Sequence, residues 1–574
     1  MNIFFTLKDF EFDINDNTFF EGANISDGNY DDDIDQRIDT FLYAYRNKDI
    51  KSFTVPVSIS NNFMEFSGLI FAHHLRLTRE LTFCDTLIIF YGTLELEELL
   101  RLTPLAQILI TRNILYINII KYSFDDIKTI IQSYKPKSFL LTQFLDQIQI
   151  NPPSNYDSHH SIDNEFALIQ WSGYINCLSN LPQHFKKEFD SQLYFKYLRA
   201  KYELYEINDC DSFVISTLGK IRILLIDDEA KKGWEKFYES FFRNSKIKFE
   251  DSGVEFKNED QSELILKIES RVKNFNPHLV LLDLRMHDAD FVEDADPKNM
   301  TGMQILEKIK VINSGIQVVI TTASNKAWNF NLAKQKGAYD FIIKDGFESP
   351  TKAIGKLKST IENGSKKSVY LMPIYKKMLE SLKVWNSFQI PKRKNINDQF
   401  HDPLWHINLK LQVNDFIKNA FDTINNDAVA ERFTISTLLL YRVIEMLNEF
   451  YIIESGNSRD GTNQYHFDQD NSKVPKITYS SNSYFVNTNV SVGKSLSTKE
   501  KAYAVYYNIN GNTNKVIFNK LHQLTEYRNK VTIHPSKRFK EESLEYILDS
   551  DFKRFDTLLF DYFSAILDYI NSFK

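Results

Sequence analysis

The hydrophobic positions of this chain follow three patterns. Between about residues 221 and 344, continuous apolar runs alternate with stretches of helical period. The runs are Ile221-Arg-Ile-Leu-Leu-Ile226, Leu279-Val-Leu-Leu282, Gln317-Val-Val-Ile-Thr-Thr322 and Tyr339-Asp-Phe-Ile-Ile343. A strand covered on both faces shows no polar side, so such runs predict buried parallel strands joined by crossover helices, a doubly wound sheet. From about 369 onward, apolar residues recur every three or four positions. This predicts helices over 369–387, 406–421, 429–451, 515–533 and 541–573. A polar, aromatic-dotted insert at about 455–498 interrupts them, and its Lys476-Ile-Thr-Tyr and Tyr484-Phe-Val-Asn runs predict a small hairpin. The insert is long for a structureless connection, which leaves a functional loop or local disorder.

Residues 1–215 are patterned less clearly. Arg37-Ile-Asp-Thr-Phe-Leu-Tyr-Ala-Tyr45 is helical, and Ser52-Phe-Thr-Val-Pro56-Val-Ser-Ile reads as an edge strand because of its proline. Asp85-Thr-Leu-Ile-Ile-Phe-Tyr and Gln107-Ile-Leu-Ile-Thr are short apolar runs, with helical material near 94–102. Together they predict a small α/β domain whose strands lack terminal acids. His73-His74-Leu-Arg76 has the residue types to bind phosphate but no acid partners nearby, and a helix surface is the preferred reading. His159 and His160 fall in a polar loop after Pro152-Pro153. Residues 183–205 predict a helix lodged between this region and the next, either docking a partner or holding an output domain shut. The joint Asn363-Gly-Ser-Lys-Lys-Ser368 has linker composition. The expected domains are therefore 1–215, 220–363 and 369–574.

The chemistry gathers where the central apolar runs end. The first runs into Asp227-Asp228-Glu229, the second into Asp283, the third ends at Thr322, and the fourth runs into Lys344. In an open parallel sheet the carboxyl ends of the strands share one edge, where sites form. Clustered carboxylates there call for a hard cation with oxygen ligands, most simply Mg2+. This arrangement resembles the phosphoacceptor (receiver) domain of two-component response regulators. The resemblance implies that Asp283 takes the phosphoryl group from a histidine kinase. It also implies that Asp227 and Asp228, with Asp283, hold Mg2+, that Thr322 and Phe341 are the switch hydroxyl and aromatic, and that Lys344 contacts the phosphoryl group. Thr301-Gly302 falls where the family turns into its third helix. Three features depart from the family: a longer segment after the first acids, an acidic insertion at 287–296, and Asp345 where proline normally follows the lysine. The insertion supplies extra charge or is a solvated loop. A cis bond at Lys344–Asp345 is disfavoured without proline, so the following loop is expected to differ in shape.

At 574 residues the chain is too long for one core, and its net charge of −7 argues against a general nucleic-acid coat without excluding a local basic site. Three cysteines without metal-ligand spacing point to a reducing compartment and no zinc. No apolar stretch approaches the about 18 residues of a membrane span, and no leader pattern opens the chain, which predicts a cytoplasmic protein.

Two segments of the helical region carry a second resemblance. Leu438-Leu-Leu-Tyr441-Arg442-Val-Ile-Glu445 and Leu524-Thr-Glu-Tyr-Arg528-Asn529-Lys530-Val-Thr-Ile-His534-Pro535 look like a HEPN domain. The likeness is closest to the ribonucleases associated with type III CRISPR systems. It implies a helical bundle that pairs as a homodimer and cuts single-stranded RNA without metal. Arg528 would hold phosphate, His534 would move or orient a proton, and Asn529 would orient the reacting groups. Lys530 would steer RNA. Residues six apart on a helix point about 120° away from each other, so Arg528 and His534 converge only if the helix ends or distorts, which Pro535 favours. The expected protein is a response regulator in which phosphorylation at Asp283 controls an RNA-cutting output, in bacterial stress or antiphage defence. The rival class is a non-enzymatic phosphorelay regulator whose helical domain is a protein- or RNA-binding interface.

Overall fold

The computed structural model describes the chain apart from residues 6–19, 24, 26–33, 60–62, 79, 123, 153–158, 203–213, 257–258, 293–295, 324–326, 391–404, 430, 458–461, 469–471, 481–482, 489–495, 529–554 and 574. Two five-stranded parallel sheets follow one another. The first contains β1 (Asn2–Phe5), β2 (Phe20–Ala23), β3 (Ser52–Pro56), β4 (Leu87–Gly92) and β5 (Ile114–Asn118), in the order β2-β1-β3-β4-β5. Its helices are α1 (Ile34–Tyr45), α2 (Ser67–Leu77), α3 (Leu96–Leu102) and α4 (Phe124–Ser133). The chain continues through α5 (Leu141–Leu145), α6 (His159–Tyr174), α7 (Gln183–Ser191) and α8 (Leu193–Lys201).

The second sheet repeats that order as β7-β6-β8-β9-β10, with β6 (Ile221–Ile226), β7 (Ile247–Asp251), β8 (Leu279–Leu282), β9 (Gln317–Thr322) and β10 (Asp340–Ile343). Its helices are α9 (Trp234–Phe241), α10 (Gln261–Phe275), α11 (Thr301–Ile312), α12 (Ala327–Gln335) and α13 (Pro350–Ser387). Alternate residues of its strands enter two cores. Ile223, Leu225, Leu279 and Leu281 join a core continuous with the first domain, whereas Leu224, Ile226, Val280 and Leu282 pack on the other face.

The two sheets share a device absent from the sequence reading of the first domain. After the third strand of each, a Ser/Thr-Gly pair starts the next helix, Ser67-Gly68 in α2 and Thr301-Gly302 in α11. A Cβ on Gly68 would run into the Pro56 carbonyl, and one on Gly302 into the Asp283 carbonyl. Only glycine lets the helix start that close to the strand end.

Several expectations for the first region change. The segment with Pro56 is not an edge strand, because β3 lies between β1 and β4. Val57 N donates to Tyr91 O, so by alternation Pro56 faces β1, whose pairing with β3 has already ended at Thr54. The missing donor therefore costs no ladder bond. The Gln107 run belongs to a 3-10 helix over Pro104–Ile110, and the strand is Ile114–Asn118 instead. His73, His74 and Arg76 are buried in α2 rather than displayed on a surface. Arg76 donates to the carbonyls of Cys84, Thr86 and Asn113, and His74 meets Asp35 at 2.9 Å. Burial pushes His73 down to about 4, so it is neutral near pH 7 and offers phosphate no charge. His159 and His160 open α6 rather than lying in a loop. The helix expected at 183–205 is two helices packed on α1 and α2, and it is α6 that packs on α9 and α13 of the second domain.

The polar joint at 363–368 is not a flexible linker. It lies inside α13, which runs unbroken for 38 residues from the second sheet into the helical region. Gly364, Ser365 and Ser368 are buried, and the absence of a Cβ at Gly364 lets the helix approach Tyr339 and Leu279 closely. The composition of a linker here serves close packing. Beyond it, α14 (Trp405–Asn425), α15 (Arg432–Tyr451), α16 (Thr498–Asn510), α17 (Lys515–Tyr527) and α18 (Phe555–Asn571) share one apolar core with α13. The insert holds two hairpins, β11 (Ile452–Asn457) with β12 (Thr462–Phe467), and β13 (Lys476–Ser480) with β14 (Ser483–Asn487). No helix among the described residues is long and apolar enough to cross a membrane.

Continuity of α13 is open to a direct test. Lys366→Pro removes a helical hydrogen bond and clashes with the preceding turn, at a cost of about 3 kcal/mol or more. The urea midpoint is expected to fall accordingly, and an unchanged midpoint would mean the joint is a loose linker.

Candidate active site

Backbone pairing brings the acid-ended strands together before any side chain is considered. Asp283 N donates to Ile226 O at 2.9 Å, and Lys344 N donates to Thr322 O at 2.8 Å. The residues following β6, β8 and β10 thus meet at one edge. Lys344 Nζ lies 2.5 Å from Asp227 Oδ2 and 3.1 Å from Asp283 Oδ2. Asp227, Asp283 and Lys344 are buried, whereas Asp228 is exposed at the mouth. One ligand oxygen from each of Asp227, Asp228 and Asp283 falls within 4.8 Å of the others.

The electrostatics follow from that crowding. Burial works against the Lys344 ammonium, but Asp227 and Asp283 outweigh it and hold the lysine above its ordinary pKa. Burial lifts Asp283 to about 6, with the Asp227 charge adding to the rise and Lys344 opposing it. Asp228 is raised further, to about 8, by the surrounding protein first and then by Asp227, Asp283 and Glu229. One ammonium cannot balance this many carboxylates. The donor set therefore fits a hard divalent cation, which would be held by Asp227, Asp228 and Asp283.

Thr322 ends β9 on the same edge, in register with Ile343. Phe341 points into the core of β10, packed edge-on against Phe330 of α12 with centroids 5.3 Å apart. Among the described residues the backbone has no cis peptide, and Asp345 takes the place after Lys344 by accepting from Phe347 N at 2.7 Å. The acidic insertion divides in two. Asp288 is solvent-facing, whereas Asp290 is buried and accepts from the N–H groups of Met286, His287 and Thr301 at 2.9, 3.0 and 2.9 Å. Asp290 thus pins the loop after Asp283 to the start of α11.

Two contributors escaped the sequence reading. Trp234 at the start of α9 places its ring 4.9 Å from Lys344 Nζ. Helix α6 comes from the first domain and lies beside the pocket. Asn164 of α6 donates to Glu229, next to Asp228, and Trp171 packs edge-on against Trp234 at 5.4 Å. A Cβ on Gly346 would run into Phe166 of α6. Nothing in the spacing of these residues signals contacts that span 60 to 180 positions.

In the helical region, Arg528 sits over the Tyr441 ring at 4.8 Å and 3.9 Å from Glu445. Arg442 pairs with Glu445 and Glu449 at 3.2 and 3.0 Å. Asn529, Lys530 and His534 lie outside the described residues.

The raised acids make a pH prediction. Asp228 and Asp283 titrate near 4 when unfolded, so the folded chain binds their protons more tightly. For the buried Asp283 that contribution is complete below about pH 4 and is lost as pH rises through about 6, and the exposed Asp228 shifts in the same direction and extends the loss upward. In chelator, stability is expected to decline over this window, and Asp228→Asn to flatten the decline. Thermal melts from pH 5 to 8.5 read the slope, and identical slopes would refute the clustered-acid account.

The first sheet has the same topology without the chemistry. Val57 follows β3 and Ile119 follows β5, where the second sheet has Asp283 and Lys344. The family described as the Inactive Receiver domain matches residues 7–117, within this first domain. Similar solved structures include a LuxR-family two-component response regulator from Aurantimonas sp. SI85-9A1, at 18% identity and TM-score 0.19, covering 28% of this chain and 96% of that one. NtrX from Brucella abortus matches at 18% identity and TM-score 0.20, over 30% and 36% of the two chains. The RcsB response regulator of Salmonella typhimurium matches at 16% identity and TM-score 0.19, over 30% and 80%. Scores this low carry no argument about function. No curated protein matches the chain. The family match and the doubled strand order together place a response-regulator-like receiver fold in this chain.

Proposed function

We propose that the second sheet is a working phosphoacceptor domain, phosphorylated on Asp283 by a histidine kinase, and that its state controls the helical region. The observation that carries this reading is Lys344 Nζ held between Asp227 and Asp283. A carboxylate oxygen of Asp283 attacks phosphorus, an acyl phosphate forms, and the donor's leaving atom departs with the bonding electrons. Lys344 is placed to follow the new phosphoryl oxygens. Asp227 and Asp228 would hold Mg2+ there, and the bound ion would neutralise charge on the phosphoryl group. Thr322 closes the same edge, and its hydroxyl would donate to a phosphoryl oxygen, drawing on β9 and the Phe330–Phe341 contact.

Exposing the full chain to acetyl phosphate and Mg2+ is expected to add one phosphoryl group, read by intact mass. Asp283→Ala should abolish the addition, and Asp228→Asn should slow it strongly. Labelling that survives Asp283→Ala would remove the assignment.

For the output, the approach of Arg528 to Tyr441 and Glu445 favours RNA cleavage by the helical region, since the two HEPN-like segments meet there. In this reading Arg528 binds the scissile phosphate, His534 transfers a proton, Asn529 orients the reacting groups and Lys530 steers RNA across a homodimer. Loss of Arg528 should cost about 3 to 4 kcal/mol of transition-state stabilisation, as for one oxyanion donor. That is roughly a hundred- to thousandfold in rate. The full chain, phosphorylated and in EDTA, is expected to cut labelled single-stranded RNA, with Arg528→Ala and His534→Ala each reduced by at least this factor. An intact RNA pool beside folded, phosphorylated protein would return the helical region to the interface reading.

A further inference from the structure

A second site lies where the receiver meets the helical region. A cavity of about 400 Å3 opens between them. Tyr339, just before β10, and Lys366, Lys367 and Tyr370 of α13 form one side, and Asp427 and Arg432 belong to the other. The volume lies within the range of small-molecule pockets.

Charge distinguishes this cavity. Three cations line it, with Asp427 as the carboxylate in the lining. That carboxylate is shared, since Arg432 pairs with it and Lys367 Nζ lies 3.0 Å away. Lys367 also donates to Asn425 O at 2.6 Å and sits 5.2 Å from the Tyr339 ring. Nearby, the half-buried Lys310 donates to the carbonyls of Ser314 and Ile316. Lys334 lies 6.0 Å from the Tyr339 ring, donates to the Tyr339 carbonyl and stands 4.0 Å from Asp340. Burial first, then repulsion from Arg432 and Lys334, pushes Lys367 down to about 7. Burial and the Lys367 charge push Lys310 to about 7 as well. The lining itself sets Lys366, Lys367 and Arg432 against one carboxylate, Asp427.

We propose that this cleft binds a small phosphate-bearing anion. A guanidinium fork and two ammonium groups supply the donors that phosphate oxygens accept best. The Tyr339 and Tyr370 hydroxyls and the Asn363 amide add neutral donors along the same lining. The apolar remainder, from Ile424, Phe433 and Phe560, is far larger than a bare phosphate needs and accommodates the organic body of a phosphate ester. Because its walls come from both domains, an occupant would favour the arrangement that keeps them together. The site is separate from the acid-ended strands and does not depend on phosphorylation of Asp283.

The test uses the unphosphorylated full chain and titration calorimetry with inorganic phosphate, AMP and adenosine. Saturable binding of AMP or phosphate without binding of adenosine supports the proposal, and phosphate displacing AMP shows one shared subsite. Lys366→Glu, a half-exposed change, is expected to weaken binding at least tenfold at low salt, and Lys367→Met to do the same. Melting curves check that each variant folds, and Lys366→Glu suffices if Lys367→Met does not. No binding of either phosphate probe overturns the proposal. So does equal binding of adenosine, or binding unchanged in a folded variant.

Discussion

Everything at the working edge of the second sheet depends on one buried ammonium. Lys344 is wholly buried, and such a charge persists only with partners that replace water. Asp227 and Asp283 are those partners, and they come from the ends of two other strands. The interaction therefore fixes the relative positions of β6, β8 and β10, and the crowding of acids beside it raises the pKa of Asp228. Breaking a buried pair of this kind typically costs about 3–5 kcal/mol, because the remaining charge is stranded. The order of this edge rests on three side chains from three strand ends.

The first domain reaches this edge through α6. Its apolar residues belong to the core that continues into one face of the second sheet. Trp171 of α6 meets Trp234, and the ring of Trp234 lies by Lys344. A sheet with receiver topology but without Asp283 and Lys344 equivalents is thus packed against one that has them. Its contribution is structural contact with the pocket, through Asn164 at Glu229 and Phe166 beside Gly346.

On the opposite side, α13 carries the second sheet's domain into the helical region without a break. Pro373 lies within it, close to where Asn313 donates to Met372 O at 3.2 Å, so the loop before β9 takes up one carbonyl near the proline. Asn425 adds a second tie, donating to Ser314 O at 2.9 Å and accepting from Gln317 at 3.3 Å. A rearrangement of β9 or β10 would meet a stiff helix and these polar ties rather than a slack tether. The cation-rich cleft sits beside the same junction.

The sequence by itself determined the second sheet and which side chains meet at its edge. A buried parallel strand must be continuously apolar, and its carboxyl end must leave the core, so acids following such runs are forced to one edge. Helical periodicity likewise marked the bundle, because an amphipathic stripe is a local property. Tertiary structure decided what locally ambiguous residues do. Polarity alone could not separate a loose joint from the close-packed helix at Gly364, Ser365 and Ser368. Nor could it separate a solvated acid from Asp290 turned inward to three N–H groups. His73, His74 and Arg76 were read as surface because their type is polar, yet neighbouring carbonyls and Asp35 supply their partners in the core. The place of Pro56 in an interior strand, and of Trp234 over Lys344, came from chain segments far away in sequence. Such contacts depend on how the sheets pack, a property no local window of residues contains.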